Sequence, residues 1–135
     1  MKVEYFDLRG KRALVSGGAS GIGSSIVEHL CEQGVEVYFF DINKNEAKKT
    51  INKIKKKKFK IPTFVECNIK NIKNYKSSIL NIIKKQGPID ILVNNASNDQ
   101  RHSLEKITEK YWDDRMAINL KHYLFAIQAV KKSMI

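Results

Sequence analysis

The sequence predicts an α/β fold, a doubly wound parallel sheet with strand order 3-2-1-4. Three observations predict it. Short apolar runs alternate with longer segments of helical periodicity, in the order βαβαβαβα. A glycine-rich loop, Ser16-Gly17-Gly18-Ala19-Ser20-Gly21-Ile22-Gly23, joins the first apolar run to the first helical pattern. An acid, Asp41, closes the second run. Strands that alternate with helices pair in parallel through right-handed crossovers, with helices on both faces of the sheet.

Each element has a local reason. Arg12–Val15 reads as a short buried strand. The helix after the glycine loop starts at once with Ile22, Ile26, Val27 and Leu30, and Gly34 ends it. Val35–Phe40 is the second strand, apolar apart from Glu36. Asn43 can cap a second helix that runs to about Lys57, with Ala47, Ile51 and Ile54 on one face. Pro62 breaks that pattern, and Thr63-Phe64-Val65 starts the third strand. Asn71 can cap a helix carrying Ile72, Tyr75, Ile79, Ile82 and Ile83, which Gly87-Pro88 terminates. Ile89–Val93 reads as a fourth strand, apolar on both faces and therefore interior. A loop covers 94–107, and Thr108 can cap a long last helix reaching close to the C-terminus.

Length and composition bound the function. The 135 residues make one domain, 1–135, large enough for a real core. There is no N-terminal leader pattern and no apolar run near 18 residues, which reads as neither secreted nor membrane-spanning. Cys31 and Cys67 form no metal-ligand pattern and read as small buried hydrophobes in a reducing cytoplasm. The net charge of +11 invites a nucleic-acid reading, but residues 44–60 hold nine lysines against one acid, Glu46. Outside that segment 16 basic residues face 13 acidic ones. The segment is amphipathic and almost without aromatics to stack on bases, so a solvated helix face is the expectation, not a nucleic-acid partner.

Strand, glycine loop, helix, strand and acid is the layout of a dinucleotide site. Glycines let the backbone approach a pyrophosphate, and the helix N-terminus offers free N–H groups and a partial positive charge to it. Asp41 can accept from both hydroxyls of an adenosine ribose and would repel the 2′-phosphate of NADP, so NAD is the expected cofactor. Three more signals lie toward the C-terminal ends of strands or in the last helix. Asn68 can bond an adenine edge with Ile69 packing on the ring, or serve only as a turn residue. Asn94-Asn95-Ala96-Ser97 suits a backbone passing close to a ligand, or a plain turn. Asn119, between Ile118 and Leu120, is a poor helix former in an apolar stretch, and such an amide usually has a buried partner.

Taken together these residues resemble the short-chain dehydrogenase/reductase family, whose fold is of the Rossmann type. SGGASGIG is similar to its TGxxxGIG loop, NNAS to its NNAG strand end, and Asn119 in AINLKH to the helix asparagine of its catalytic tetrad. The likeness covers essentially the whole chain. Residues 94–134 are similar to the branch of NAD-dependent aldose 1-dehydrogenases, such as D-xylose 1-dehydrogenase, through an NDxRH loop (Asn98–His102) and a YWDxR helix start (Tyr111–Arg115). Polar groups there suit a sugar, although Asp99 and Arg101 can equally staple the loop, and His102 can be a plain hydrogen-bonder.

The resemblance implies roles. Gly17, Ser20, Gly21, Ile22 and Gly23 would hold the pyrophosphate side of the cofactor. Asp41 would hold the adenosine ribose, Asn68 and Ile69 the adenine, and Asn95 and Ala96 the nicotinamide ribose. Asn119 would support a proton relay. The implied partner is a small alcohol or aldose, with a homo-oligomer for the full-length family.

Three departures are small: Ser16 for Thr, Asn68 for Asp, Ser97 for Gly. The large one is that no tyrosine has a lysine four residues on; the residues found are Arg9, Ile42, Ile79, Arg115 and Ile127. In the family that Tyr is the acid/base and the Lys lowers its pKa, on elements that follow a fifth strand bearing a catalytic Ser. The expectation is therefore the N-terminal portion of a longer oxidoreductase domain, inactive by itself. Two rivals remain: a non-catalytic dinucleotide-binding module, and a methyltransferase, which Gly-x-x-x-Gly-x-Gly and NNA disfavour.

Overall fold

The computed structural model describes residues 3–134. Four parallel strands form one sheet: β1 (Arg12–Ser16), β2 (Glu36–Asp41), β3 (Thr63–Glu66) and β4 (Ile91–Val93), in the spatial order β3-β2-β1-β4. The register sets Ser16 beside Phe40, Val15 beside Val93 and Asp41 beside Glu66. The helices are α1 (Gly21–Glu32), α2 (Lys44–Lys56), α3 (Ile72–Gln86), α4 (Glu109–Met116) and α5 (His122–Val130).

Alternation along the strands splits the core in two. Ala13, Val15, Val37 and Phe39 face α1 and α2, where they pack with Val27, Cys31, Ala47 and Ile54. Leu14, Tyr38 and Phe40 face α3 and α5, where they meet Tyr75, Ile79, Ala126 and Val130. Both cysteines are buried as expected, and burial pushes the Cys31 thiol up to about 12. Caps stand where the sequence puts them. Asn43 accepts from Glu46 N, Asn71 from Asn74 N and Thr108 from Tyr111 N.

Three expectations are corrected. The fourth strand is shorter than Ile89–Val93. Asp90 is not apolar; it leaves the strand to accept from Arg12 N at 2.8 Å and from Lys11 Nζ at 3.3 Å. β4 pairs with β1 alone and forms one edge of the sheet. Ile22 does not join the apolar face of α1; it is 76% exposed, because it sits in the first turn above the strand ends. The last helix is interrupted. Between α4 and α5 the segment Ala117–Lys121 takes a π-helical turn.

The lysine-rich α2 is an exposed face, with three of its lysines and its C-cap Lys57 paired at home. Lys49 meets Glu46, Lys44 meets Glu66, and Lys53 and Lys57 converge on Glu28 of α1. Glu28 is buried, and the bonds from Lys53 and then Lys57 hold its carboxyl below the usual carboxylate range. Periodicity could not show this contact, since it joins residues 29 positions apart. Among the described residues, no helix is long and apolar enough to cross a membrane.

Candidate dinucleotide site

Ser16, Asp41, Glu66 and Val93 end their strands on one side of the sheet, and a cavity of about 740 Å³ opens there. The glycine loop forms one wall and is held from both flanks. On the β2 side Gly17 N donates to Phe40 O at 2.7 Å, and Thr50 Oγ1 to Ala19 O at 2.8 Å. On the β4 side Asn95 Nδ2 donates to the carbonyls of Ser16 and Gly17, both at 3.0 Å. Only glycine fits at three points, one of them Gly18, where a Cβ would stand 2.6 Å from the Phe39 Cβ. A Cβ on Gly23 would stand 1.8 Å from Gly17 O, and one on Gly17, at φ +70°, would stand 2.8 Å from the Ala96 Cα. A Cβ on Gly21 would instead meet nothing within 4 Å, because that position borders open space.

Of α1 to α4, only α1 starts without a side-chain cap bond. Its N-cap is Ser20, and Ser20, Gly21, Ile22 and Gly23 all line the cavity. First-turn N–H groups without a cap are donors available to an anion. Each of the other sequence-predicted cofactor residues, Gly17, Asp41, Asn68, Ile69, Asn95 and Ala96, also lines this cavity. The site residues named from the sequence thus converge, Asn119 excepted, which stands one residue beyond the lining Ile118.

Local bonds refine each residue's capacity. Asp41 is half-buried, and its carboxylate accepts from Ile42 N and Asn43 N on Oδ1, and from Ala19 N on Oδ2. A carboxylate offers about four acceptor positions, so one on Oδ2 is left for a ribose hydroxyl. Asn68 Oδ1 accepts from Lys70 N at 3.0 Å, which is its turn role, and its amide nitrogen has no bond among the described residues. Ile69 is both core and cavity wall. Asn95 uses its amide nitrogen on the glycine loop, so its side chain clamps the wall it belongs to.

The segment after β4 folds onto α4. Asn98 exchanges two hydrogen bonds with Asn119. Tyr111 donates its hydroxyl to Gln100 O at 2.7 Å, and its ring contacts both the His102 ring and the Arg115 guanidinium. The staples are therefore Asn98, Gln100 and His102. Asp99 and Arg101 are exposed and make no side-chain bond among the described residues; Asp99 lines the cavity.

Sequence reasoning missed three groups here. Asp114 lines the cavity, held below the usual carboxylate range by Lys70 first and Arg115 second. Arg115 lines it too, with Nε and Nη1 buried and unpartnered among the described residues. His122 lies fully buried behind Ser16. Arg115 ends the YWDxR run and His122 the AINLKH run, but neither pattern shows that Arg115 reaches the cavity, that Lys70 pairs with Asp114 or that His122 lies against Ser16. Among the described residues there is no cluster of three or more side chains able to hold a metal.

Known proteins share this arrangement. Residues 11–135 match the short chain dehydrogenase family. A D-xylose 1-dehydrogenase of Caulobacter vibrioides is 38% identical over 130 residues, 96% of this chain and 50% of that protein. A gluconate 5-dehydrogenase of Gluconobacter oxydans is 33% identical over 132 residues, 98% of this chain and 51% of that protein. The chain spans about half the length of the curated relatives it matches. Among solved structures, a blue fluorescent protein from a metagenomic library, in complex with NADPH, superposes with a TM-score of 0.84 at 30% identity, over 94% of this chain and 52% of that one. The ligand-free aldohexose dehydrogenase of Thermoplasma acidophilum gives 0.80 at 28% identity, over 96% and 46%. With sheet order, glycine loop, strand-end asparagines and sequence all in agreement, this chain belongs to the short-chain dehydrogenase family.

Proposed function

We propose that the chain is the dinucleotide-binding portion of an oxidoreductase that moves hydride between an alcohol or aldose carbon and NAD. One observation carries this: the uncapped start of α1, the glycine loop and Asp41 border the same cavity. In this reading the α1 N-terminus and Gly17, Ser20, Gly21, Ile22 and Gly23 take the pyrophosphate. Asp41 takes a ribose hydroxyl on Oδ2, Asn68 and Ile69 the adenine, and Asn95 and Ala96 the nicotinamide ribose. When bound, the cofactor supplies the hydride acceptor or donor; the chain's own residues bind it and shape the wall around it.

Preference for NAD over NADP rests on the Asp41 charge, which faces a phosphate dianion in NADP. A relative at 30% identity carries NADPH, so this residue is the point to test. Calorimetry of the 135-residue chain with each cofactor is the experiment. Tighter binding of NAD supports the reading, and equal affinities sink the preference.

An aldose substrate is supported by the D-xylose 1-dehydrogenase among the relatives, the wider class of sugar-derived alcohols by the gluconate 5-dehydrogenase, and either by the unengaged Asp99 at the cavity wall. The Tyr-x-x-x-Lys pair that the family uses for proton transfer does not occur in these 135 residues. The chain by itself is therefore proposed to bind the cofactor without turning over a sugar.

A further inference from the structure

Ser16 ends β1 with its side chain buried beneath Asn95 and Ala96. Its Oγ accepts from Asn95 N at 3.0 Å and from Ala96 N at 3.1 Å. A hydroxyl has two lone pairs and one proton. Both lone pairs are engaged, so the proton is left to donate. His122 Nε2 lies 3.3 Å from the same oxygen, on a ring with no solvent exposure. The Ser16 bonds make Nε2 the acceptor and put the ring proton on Nδ1, which is buried, has the Ile118 carbonyl as its neighbour and completes no well-formed hydrogen bond among the described residues.

We propose that His122 is a positioning residue for the nucleotide site: its neutral ring accepts a hydrogen bond from the Ser16 hydroxyl, fixes that hydroxyl, and so holds the Asn95 and Ala96 amides at the cavity wall. This rests on the dinucleotide reading above. A protonated ring would present Nε2–H to an oxygen with no lone pair free. Either one amide bond breaks or the ring withdraws with α5, and both displace residues that line the cavity. Nucleotide affinity therefore falls as His122 takes up a proton.

The surroundings favour the neutral ring. Tyr75 of α3 is 6.0 Å away between ring centres and also within reach of Ser16; Tyr123 of the same helix is at 4.4 Å. Cys67 lies in the same cluster, and burial raises both it and Tyr75. β4 brings no charged side chain, Arg12 of β1 is paired with Glu36 at the far strand end, and Lys76 of α3 sits over Phe125. Burial pushes the His122 imidazole below its ordinary value, with the Ile118 carbonyl working the other way.

The test has a ligand-free arm and a ligand arm. Ring-nitrogen chemical shifts of His122 in the intact chain at neutral pH should show Nε2 unprotonated; a protonated Nε2 overturns the proposal. NAD affinity, measured as pH is lowered, should fall by up to about tenfold for each pH unit below the His122 pKa. His122→Gln keeps an acceptor and cannot titrate, so its pH slope should vanish. The slope persisting in that variant overturns the proposal and assigns it to another titrating group, such as the Asp41 carboxylate at the cavity. If the unsubstituted chain binds no NAD at any pH, the dinucleotide reading fails, while the ring-nitrogen shifts still decide the Ser16–His122 bond.

Discussion

Asn119 and Asn98 are joined by a reciprocal pair of hydrogen bonds: Oδ1 of Asn119 accepts from Asn98 N at 2.7 Å, and Nδ2 donates to Asn98 O at 3.0 Å. The π turn at Ala117–Lys121 carries this amide beside the segment that follows β4. Both polar atoms of the side chain are thereby engaged with one backbone unit, an arrangement a strand residue usually provides.

Asn119→Ala should free that backbone unit. Each bond of this kind contributes about 0.5–1.5 kcal/mol. Hydrogen exchange at Asn98 should accelerate by roughly tenfold or more, with the amides of β1 unaffected. Unchanged protection at Asn98 would show the pair to be idle.

Asp41→Ala should narrow the preference between NAD and NADP. A hydrogen bond to a charged group contributes about 1.5–3 kcal/mol, so NAD binding should weaken by roughly tenfold or more. The variant also leaves the N–H groups of Ala19, Ile42 and Asn43 without their acceptor. Calorimetry with both cofactors reads the change.

Two glycine substitutions should separate folding from binding. Gly23→Ala puts a methyl group into the Gly17 carbonyl and should prevent a native glycine loop. Gly21→Ala has space, and its left-handed backbone at φ +55° costs roughly 1–2 kcal/mol. It should keep a cooperative thermal transition yet lose NAD affinity, since its methyl group enters the cavity. Full NAD affinity in Gly21→Ala would remove the pyrophosphate from that position.

Glu28→Gln should loosen α2 from α1. The carboxylate is buried while its lysines are half in water, so the loss lies between exposed and buried pairs, about 1–3 kcal/mol at neutral pH. Because its folded pKa is lowered, the stabilisation is complete above the ordinary value of 4.5 and is lost as pH falls through the folded one. Denaturant melts of both chains should therefore converge in strong acid. A constant gap at all pH values would assign the effect to packing.

The open side of β4 should make the isolated chain self-associate. Ile91–Val93 pairs with β1 alone, and an unpaired strand edge recruits other chains. Sedimentation should show mass rising with concentration, and absorbance assays of NAD reduction should show no turnover of xylose or gluconate. A monodisperse, active monomer would refute both expectations.

Most of the architecture was legible because local rules carry it. The caps at Asn43, Asn71 and Thr108 follow from side chains that bond three residues ahead. The glycine loop and Asp41 follow from a spacing that one strand–helix–strand unit fixes. What escaped was set by distant partners. Asp90 read as part of an apolar strand because its acceptor role depends on Arg12, 78 residues earlier. The Glu28 contact with Lys57 spans 29 positions, beyond the reach of any helical period. Ile22 fits a helical period, yet the period cannot say that α1 begins above the sheet's end.

The Ser16 hydroxyl draws its partners from 79, 80 and 106 positions further along the chain. β1, α1 and β2 can assemble from near neighbours as soon as they are made. The wall opposite them waits for contacts of high sequence separation, which form late because long loops must close first. During synthesis that wait is on the order of ten seconds. The cleft is thus built in two stages, with the wall carried by β1, α1 and β2 standing before the wall that Asn95, Ala96 and His122 complete.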